Sequence, residues 1–210
     1  MGLTNINNLI FDLGGVIIDL DFPAFNQEFA NLSGLSVNEV VQRTEGMMLF
    51  VEYEKGLISS QQFRRQISDL LQFSASDEAI DKAWCAMLGG MPASRLRLLQ
   101  GLKSRYRTFA LSNTNDIHVR KFNSIVEESL GSVHLFNEHF EEVYFSHEMK
   151  MRKPDSEIYL TVLQEQQLKP AETLFIDDNL DNIQGAANLG IQTLHLQDPQ
   201  QLIPFFNGTR

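Results

Sequence analysis

A single carboxylate inside an apolar run constrains this chain more than any other feature. The segment Leu9-Ile10-Phe11-Asp12-Leu13-Gly14-Gly15-Val16-Ile17-Ile18 holds one charge, Asp12, and two adjacent glycines. A short apolar run ended by glycines reads as a strand buried on both faces, as the strands of a parallel sheet are. Asp12 falls at the carboxyl end of that run, where a carboxylate needs a compensating cation or hydrogen bonds.

Runs of the same kind recur at 107–112, 143–146, 173–177 and 193–196, separated by helical patterns at 115–129, 156–168 and 180–189. Strands alternating with helices imply right-handed crossovers, and so a doubly wound, mainly parallel sheet covered on both faces. The expected fold is therefore α/β with a Rossmann-like core. Residues 19–104 contain no convincing strand. Apolar residues recur there at spacings of three and four over 22–32, 37–44, 61–71 and 77–88, with Ser36, Ser59-Ser60 and Ser76 placed as helix N-caps. Leu88-Gly89-Gly90-Met91-Pro92 breaks the pattern before one more helix at 93–104. The chain divides into a core, 1–19 and 89–210, and a small helical cap, 20–88, inserted after the first strand and tethered near 19–22 and 89–92. Such an insert lies over the carboxyl edge of the sheet, where open α/β folds bind ligands. It acts there as a closing lid or as a packed decoration without motion.

Composition narrows the function. At 210 residues and 43% apolar, the chain can bury one full core and a smaller module. Its net charge of −10 argues against a nucleic-acid surface, which needs clustered cations. No apolar run approaches the roughly 20 residues of a membrane span. Cys85 is the only cysteine, so no internal disulfide forms, as suits a reducing compartment. No secretory pattern is visible at the N-terminus. The expectation is a cytoplasmic protein, a monomer or weak dimer, acting on a small molecule.

Four polar segments fall at the carboxyl ends of expected strands: Asp12; Ser112-Asn113-Thr114-Asn115; Lys153 within Met151-Arg152-Lys153-Pro154-Asp155; and Asp177-Asp178-Asn179. Parallel strands bring these ends together. Two or three carboxylates there repel unless a cation lies between them. A hard divalent ion such as Mg²⁺ resolves the repulsion and keeps sites for waters and a phosphate oxygen. Asp12 and Asp178 are the expected side-chain ligands, with Asp177 binding directly or through water. Lys153 adds a fixed positive charge, and the Ser112 hydroxyl and nearby amides add donors, which together describe a pocket for a phosphoryl group. Taken singly, each segment has a plain structural reading as a turn, a helix cap or a solvated lysine. Their common placement favours the chemical one.

These four segments, in this order, resemble the haloacid dehalogenase-like hydrolase superfamily, and the position of the insert resembles its helical-cap subclass. Together with Glu54-Lys55-Gly56-Leu57-Ile58-Ser59, they are similar to the branch that contains bacterial α-D-glucose-1-phosphate phosphatase. The resemblance implies that Asp12 is the nucleophile, Ser112 the phosphate-binding hydroxyl and Lys153 the charge-neutralising lysine. It implies that Asn113 holds the phosphoryl group through its backbone amide, and that Asp12, Asp178 and the main-chain carbonyl of Gly14 bind the metal. Gly14 is also the main departure. Most phosphatases of the superfamily carry there a second aspartate that serves as general acid/base, although the glucose-1-phosphate branch resembles this chain in having glycine. General acid–base help is worth ~10²–10⁴ in rate, so its absence favours substrates with good leaving groups. His118, one helical turn after Asn115, is a candidate substitute, against its plain reading as a packing residue.

The resemblance implies a magnesium-dependent phosphatase for a small phosphorylated metabolite, such as a hexose 1-phosphate, working through an aspartyl-phosphate. Two other readings remain beside it. A 2-haloacid dehalogenase uses a similar nucleophile without a metal, and a regulatory phosphate-binding protein would have lost turnover. Substrate choice should rest with the cap, where Glu52, Tyr53 and Glu54 either bond sugar hydroxyls or form a solvated acidic face. Met47, Met48 and Phe50 read as cap interior.

Overall fold

The structure, a computed structural model, describes residues 5–132 and 138–208; residues 1–4, 133–137 and 209–210, all within the segments expected to form the core, lie outside it. Five strands, β1 (Asn8–Phe11), β2 (Arg107–Ser112), β3 (Glu142–Phe145), β4 (Thr173–Asp177) and β5 (Gln192–His195), form one sheet in the order β3-β2-β1-β4-β5. Every neighbouring pair is parallel. β1 lies at the centre, so Asp12, immediately after it, sits between the ends of β2 and β4. The apolar run outlasts the strand. Beyond Asp12 the chain folds back, with the Leu13 carbonyl accepting from the Ile17 and Ile18 amides at 2.8 Å each.

Of the six helices between β1 and β2, the first five pack on one another: α1 (Phe22–Ser33), α2 (Val37–Thr44), α3 (Met48–Glu54), α4 (Ser60–Leu71) and α5 (Asp77–Cys85). They share an apolar cluster that includes Phe29, Val40, Tyr53, Phe63, Ile67 and Trp84. Ser36, Ser59 and Ser76 cap α2, α4 and α5, each accepting from a first-turn amide that would otherwise lack a partner. The sequence pattern does not announce α3: Met47 precedes it with no capping side chain, and burial of Leu49 and Tyr53 holds it instead. The two tethers pair with each other. Asp19 N–H donates to Gly90 O at 3.0 Å, Gly89 N–H to Asp19 O at 2.8 Å and Asp21 N–H to Met87 O at 2.8 Å.

The helices α6 (Ala93–Lys103), α7 (Asp116–Leu130), α8 (Ser146–Met149), α9 (Ser156–Glu165), α10 (Leu180–Ala187) and α11 (Leu202–Gly208) complete the described helical part. Strand residues alternate between faces with the period of two that a pleated strand imposes. Leu9, Phe11, Ala110, Leu174 and Ile176 meet α6, α7 and α11 on one face, while Ile10, Phe109, Leu111 and Phe175 meet α9 and α10 on the other. β3 and β5 are displaced one residue toward the N-terminus from the expected runs, and α9 stops three residues short of 168. No helix among the described residues is long and apolar enough to cross a membrane.

The first tether is anchored by Arg95 from α6, which is buried and donates to Ile17 O at 3.2 Å while pairing with Asp19 Oδ1 at 2.8 Å. Asp19 is half exposed, so water replaces part of its loss. Asp19→Ala is expected to cost about 1–2 kcal/mol, because the buried guanidinium loses its carboxylate. Equilibrium urea unfolding reads this as a lower midpoint at unchanged m-value; an unshifted midpoint would show that the pair anchors nothing.

Candidate active site

Lys153 organises the carboxyl edge of the sheet. Its side chain is fully buried, and its ammonium has three partners: Asp177 Oδ2 at 2.7 Å, the Leu111 carbonyl at 2.8 Å and Asp12 Oδ1 at 3.0 Å. Burial works against the charge, but the two carboxylates outweigh it and hold the ammonium above the ordinary lysine pKa. The loop that carries Lys153 is fixed by Asn113. The Asn113 side chain donates to Lys153 O and accepts from Lys153 N–H, both at 2.9 Å. A lysine beside a proline, readable from sequence as a solvated residue, is here the centre of the polar cluster.

The three carboxylates near it differ in their free valence. Asp177 is wholly occupied, Oδ1 by the Asn179 amide at 2.8 Å and Asn182 Nδ2 at 3.0 Å, Oδ2 by Lys153 and again by Asn182 Nδ2 at 3.1 Å. Asp12 takes the Leu13 amide at 2.7 Å and Lys153 on the same oxygen, Oδ1, so Oδ2 is left without a hydrogen bond among the described residues. Burial first, then the neighbouring carboxylates, push the Asp12 carboxyl up, opposed by Lys153. Asp178 is half-buried and likewise raised, by burial and by Asp177. Oxygen atoms of Asp12, Asp177 and Asp178 all come within 4.8 Å of one another. Three carboxylates against one ammonium leave a formal charge of −2, which a divalent cation matches; with Asp177 saturated, Asp12 and Asp178 are the side chains free to hold it.

Gly15 has a part that sequence reading missed. It adopts φ +71°, and a Cβ there would stand 2.3 Å from Asp178 Oδ2. The Asp178 carboxylate thus lies directly against the loop that follows Asp12. The signal was present in the Gly14-Gly15 pair, but only the fold shows what fills the space. Gly14 has an ordinary backbone, and its missing side chain faces Leu20, whose Cδ1 would lie 3.2 Å from a Cβ.

Asp12, Gly14, Ser112, Asn113 and Asp178 line one cavity of about 480 Å³ between the sheet edge and the insert, while Lys153 lies beneath its floor. Of the insert residues singled out from sequence, Glu54 reaches this cavity and ion-pairs with Arg152 at 2.8 Å. Tyr53 does not: it is buried, its hydroxyl bonded to Ser60 Oγ at 2.9 Å and to the Ile117 amide at 3.3 Å. Phe50, expected in the insert's interior, both stacks on Trp84 and lines the cavity. His118 also lines it, but neither ring nitrogen is free. Nε2–H donates to Trp84 O at 3.1 Å, and Nδ1 accepts from Asn115 Nδ2 at 3.2 Å. Burial pushes its pKa down to about 4. A neutral, doubly bonded imidazole is a packing residue, which removes His118 as a substitute acid.

Two expectations follow from this geometry. Gly15→Ala should weaken divalent-cation binding at least ~10-fold in a Mn²⁺ titration, because the methyl displaces Asp178. Gly34→Ala is the control: it shares the positive φ, at +72°, with nothing within 4 Å of its Cβ, so it meets backbone strain alone and should leave binding unchanged. Equal binding by wild type and Gly15→Ala would show that the contact does not position Asp178. For His118, the depressed pKa means that its stabilising contribution is complete above the ordinary value of 6.5 and is lost as pH falls toward about 4. His118→Gln should therefore flatten the decline of stability in that window, by up to about 1.4 kcal/mol per pH unit. Parallel declines in urea melts across the window would refute the assignment.

Comparison with known proteins agrees with this arrangement. The family model of the haloacid dehalogenase-like hydrolases matches residues 6–190. A D-ribitol-5-phosphate phosphatase from Bacteroides thetaiotaomicron is 30% identical over 188 residues, covering 90% of each chain. Among solved structures, a haloacid dehalogenase family enzyme of B. thetaiotaomicron in complex with magnesium and inorganic phosphate superposes with a TM-score of 0.80 at 36% identity, over 90% of this chain and 93% of that one. A haloacid dehalogenase-like hydrolase from Porphyromonas gingivalis gives 0.83 at 28% identity over 98% of both chains. The chain belongs to the haloacid dehalogenase-like hydrolase family.

Proposed function

We propose that this protein is a magnesium-dependent phosphatase that hydrolyses a small phosphorylated metabolite through an aspartyl-phosphate at Asp12. The observation that carries the reading is the buried cluster of Asp12, Asp177, Asp178 and Lys153, which lacks two positive charges and borders a cavity lined by Ser112 and Asn113. The B. thetaiotaomicron neighbour that holds magnesium and inorganic phosphate supports the same ligands for this chain. Asp12, Asp178 and the Gly14 carbonyl would hold Mg²⁺, which supplies positive charge toward the phosphoryl oxygens when bound.

The chain's own residues account for the remaining steps. An Asp12 oxygen attacks phosphorus, and the bond from phosphorus to the ester oxygen breaks. That oxygen leaves with the bonding pair and takes a proton. Water then attacks the aspartyl-phosphate, releases inorganic phosphate and restores the carboxylate. Lys153 orients Asp12 and opposes the upward pull of burial on its carboxyl, and the Ser112 hydroxyl and the Asn113 backbone amide bind phosphoryl oxygens. Asp177 positions Lys153 and does not bind the metal. The insert, residues 20–88, serves as a cap that screens the site from water. A cytoplasmic setting goes with this reading, since the single Cys85 has no partner for a disulfide within the chain. The charge deficit weighs against 2-haloacid dehalogenase chemistry, which needs no cation.

The test is release of inorganic phosphate from a panel of phosphate esters. Turnover is expected to stop on chelation and return with Mg²⁺, and Asp12→Asn should lower it by ~10³-fold or more while leaving the melting curve native-like. Release that survives chelation, or persists in Asp12→Asn, would refute the mechanism.

A further inference from the structure

The segment Glu54-Lys55-Gly56 is seated on the core by contacts that do not use the Glu54 side chain. Ser146 Oγ meets the Glu54 carbonyl at 2.6 Å and accepts from the Thr114 amide at 2.9 Å. Lys55 pairs with Asp155, and Lys150 donates to the Gly56 carbonyl, both at 2.7 Å. The Glu54 side chain itself is left to the cavity that Asp12 also lines.

There it meets Arg152, in the loop before Lys153, in an uneven way. A guanidinium and a carboxylate are able to match two donors to two oxygens. Here Nε at 3.0 Å and Nη2 at 2.8 Å both go to Oε2. Glu54 Oε1 and Arg152 Nη1 are left without a hydrogen bond among the described residues. Thr114, in the loop after β2, lines the same cavity, and its hydroxyl is likewise without a partner among the described residues. None of these three atoms is sealed inside the protein. A pair that only clamped the insert to the core would gain by using both oxygens. This one keeps a charged acceptor and a charged donor in reserve.

Burial pushes the Glu54 carboxyl up, against the pull of Arg152, so its free oxygen has lost part of its hydration and gains from a new donor. An alcohol group suits the set. Its one oxygen donates to Oε1 and accepts from Nη1, whereas a methylene in its place leaves both unpaired. A few fixed polar groups of this kind orient a ligand in a pocket. We infer that Glu54, with Arg152, is the specificity-determining pair of this site, selecting phosphomonoesters whose organic part carries hydroxyl groups. The inference rests on the phosphatase reading above and adds the group that chooses the substrate.

The test compares kcat/KM for D-ribitol 5-phosphate and n-pentyl phosphate, primary alkyl esters of equal carbon number, in wild type, Glu54→Ala and Glu54→Gln. Wild type should prefer D-ribitol 5-phosphate. Glu54→Ala should lower the ratio of the two by at least ~10-fold, with n-pentyl phosphate changed less than about threefold. Differences between the two leaving groups cancel when the ratios of variant and wild type are compared. Glu54→Gln is nearly isosteric and its amide oxygen still accepts, so its ratio should lie about threefold below wild type, and it decides alone if the alanine variant unfolds. A parallel fall for both esters would reduce Glu54 to an anchor of the insert and overturn the assignment, as would an unchanged ratio. Release by wild type from n-pentyl phosphate alone, or from 4-nitrophenyl phosphate but neither alkyl ester, would keep the phosphatase and overturn the hydroxyl selection. No release from any of the three with Mg²⁺ present would refute the phosphatase reading itself, and this inference with it.

Discussion

The ammonium of Lys153 holds together three separate pieces of the sheet edge. It reaches the Leu111 carbonyl in β2, the Asp12 carboxylate after β1 and the Asp177 carboxylate at the end of β4. Burying any of these charges alone would cost several kcal/mol, and only their mutual pairing makes the cluster tolerable. Asn113 fixes the lysine's own backbone, while Asn182 and the Asn179 amide fill the remaining lone pairs of Asp177. The parallel sheet is what makes this possible, since strands running the same way deliver all their carboxyl ends to one edge. Asp177 and Lys153 are satisfied in their hydrogen bonds, but the cluster as a whole is not balanced in its charge. That residual negative charge is the link between the packing of the core and the chemistry of the site.

The neighbouring glycines show how closely the loop after β1 is fitted to that chemistry, for two different reasons. Gly15 turns the chain at a positive φ and yields its side-chain volume to the Asp178 carboxylate. Gly14 is conformationally ordinary, and Leu20 from the first tether occupies the adjacent space. One glycine thus brings the distant acid to the loop. The other leaves room for Leu20, which ties the start of the insert to the loop after Asp12 and lines the same cavity.

How much of this was legible beforehand depended on the range of the interaction. β1 and the role of Asp12 as a strand-end carboxylate were readable because period and composition are local properties. So were the capping serines Ser36, Ser59 and Ser76, whose bonds span three residues. The parallel sheet and the convergence of Asp12, Asp177, Asp178 and Lys153 followed from alternation of strands and helices, a pattern rule rather than a contact, whereas the strand order came only from the structure. α3 escaped because no local cap or polar face marks it; Leu49 and Tyr53 hold it through packing. The burial of Lys153 escaped because its partners lie at positions 12, 111 and 177. For the same reason the sequence left open whether Asp177 binds a metal beside Asp178; in the structure Asp177 is saturated and Asp178 faces the cavity. His118 could be placed near the site, but its two bonds, and hence its inertness, could not.

The seam between insert and core is graded, and the gradient bears on how the cavity is kept. Near the tethers, Trp84, Asn115 and His118 form a buried polar unit in which the indole and imidazole rings stack at 4.6 Å and each hydrogen bond is shielded from water. Breaking such a unit would leave buried groups unsatisfied. At the far rim, Lys55 pairs with Asp155 at 2.7 Å, with both partners partly in solvent, and Lys150 donates to the Gly56 carbonyl at 2.7 Å. Pairs of this exposed kind contribute about 0–1 kcal/mol and exchange readily with water. The Glu54–Arg152 pair lies between these extremes, partly buried and lining the cavity itself. Trp84 and His118, which knit α5 to α7, also line the cavity, so its wall is held more firmly there than at the exposed rim.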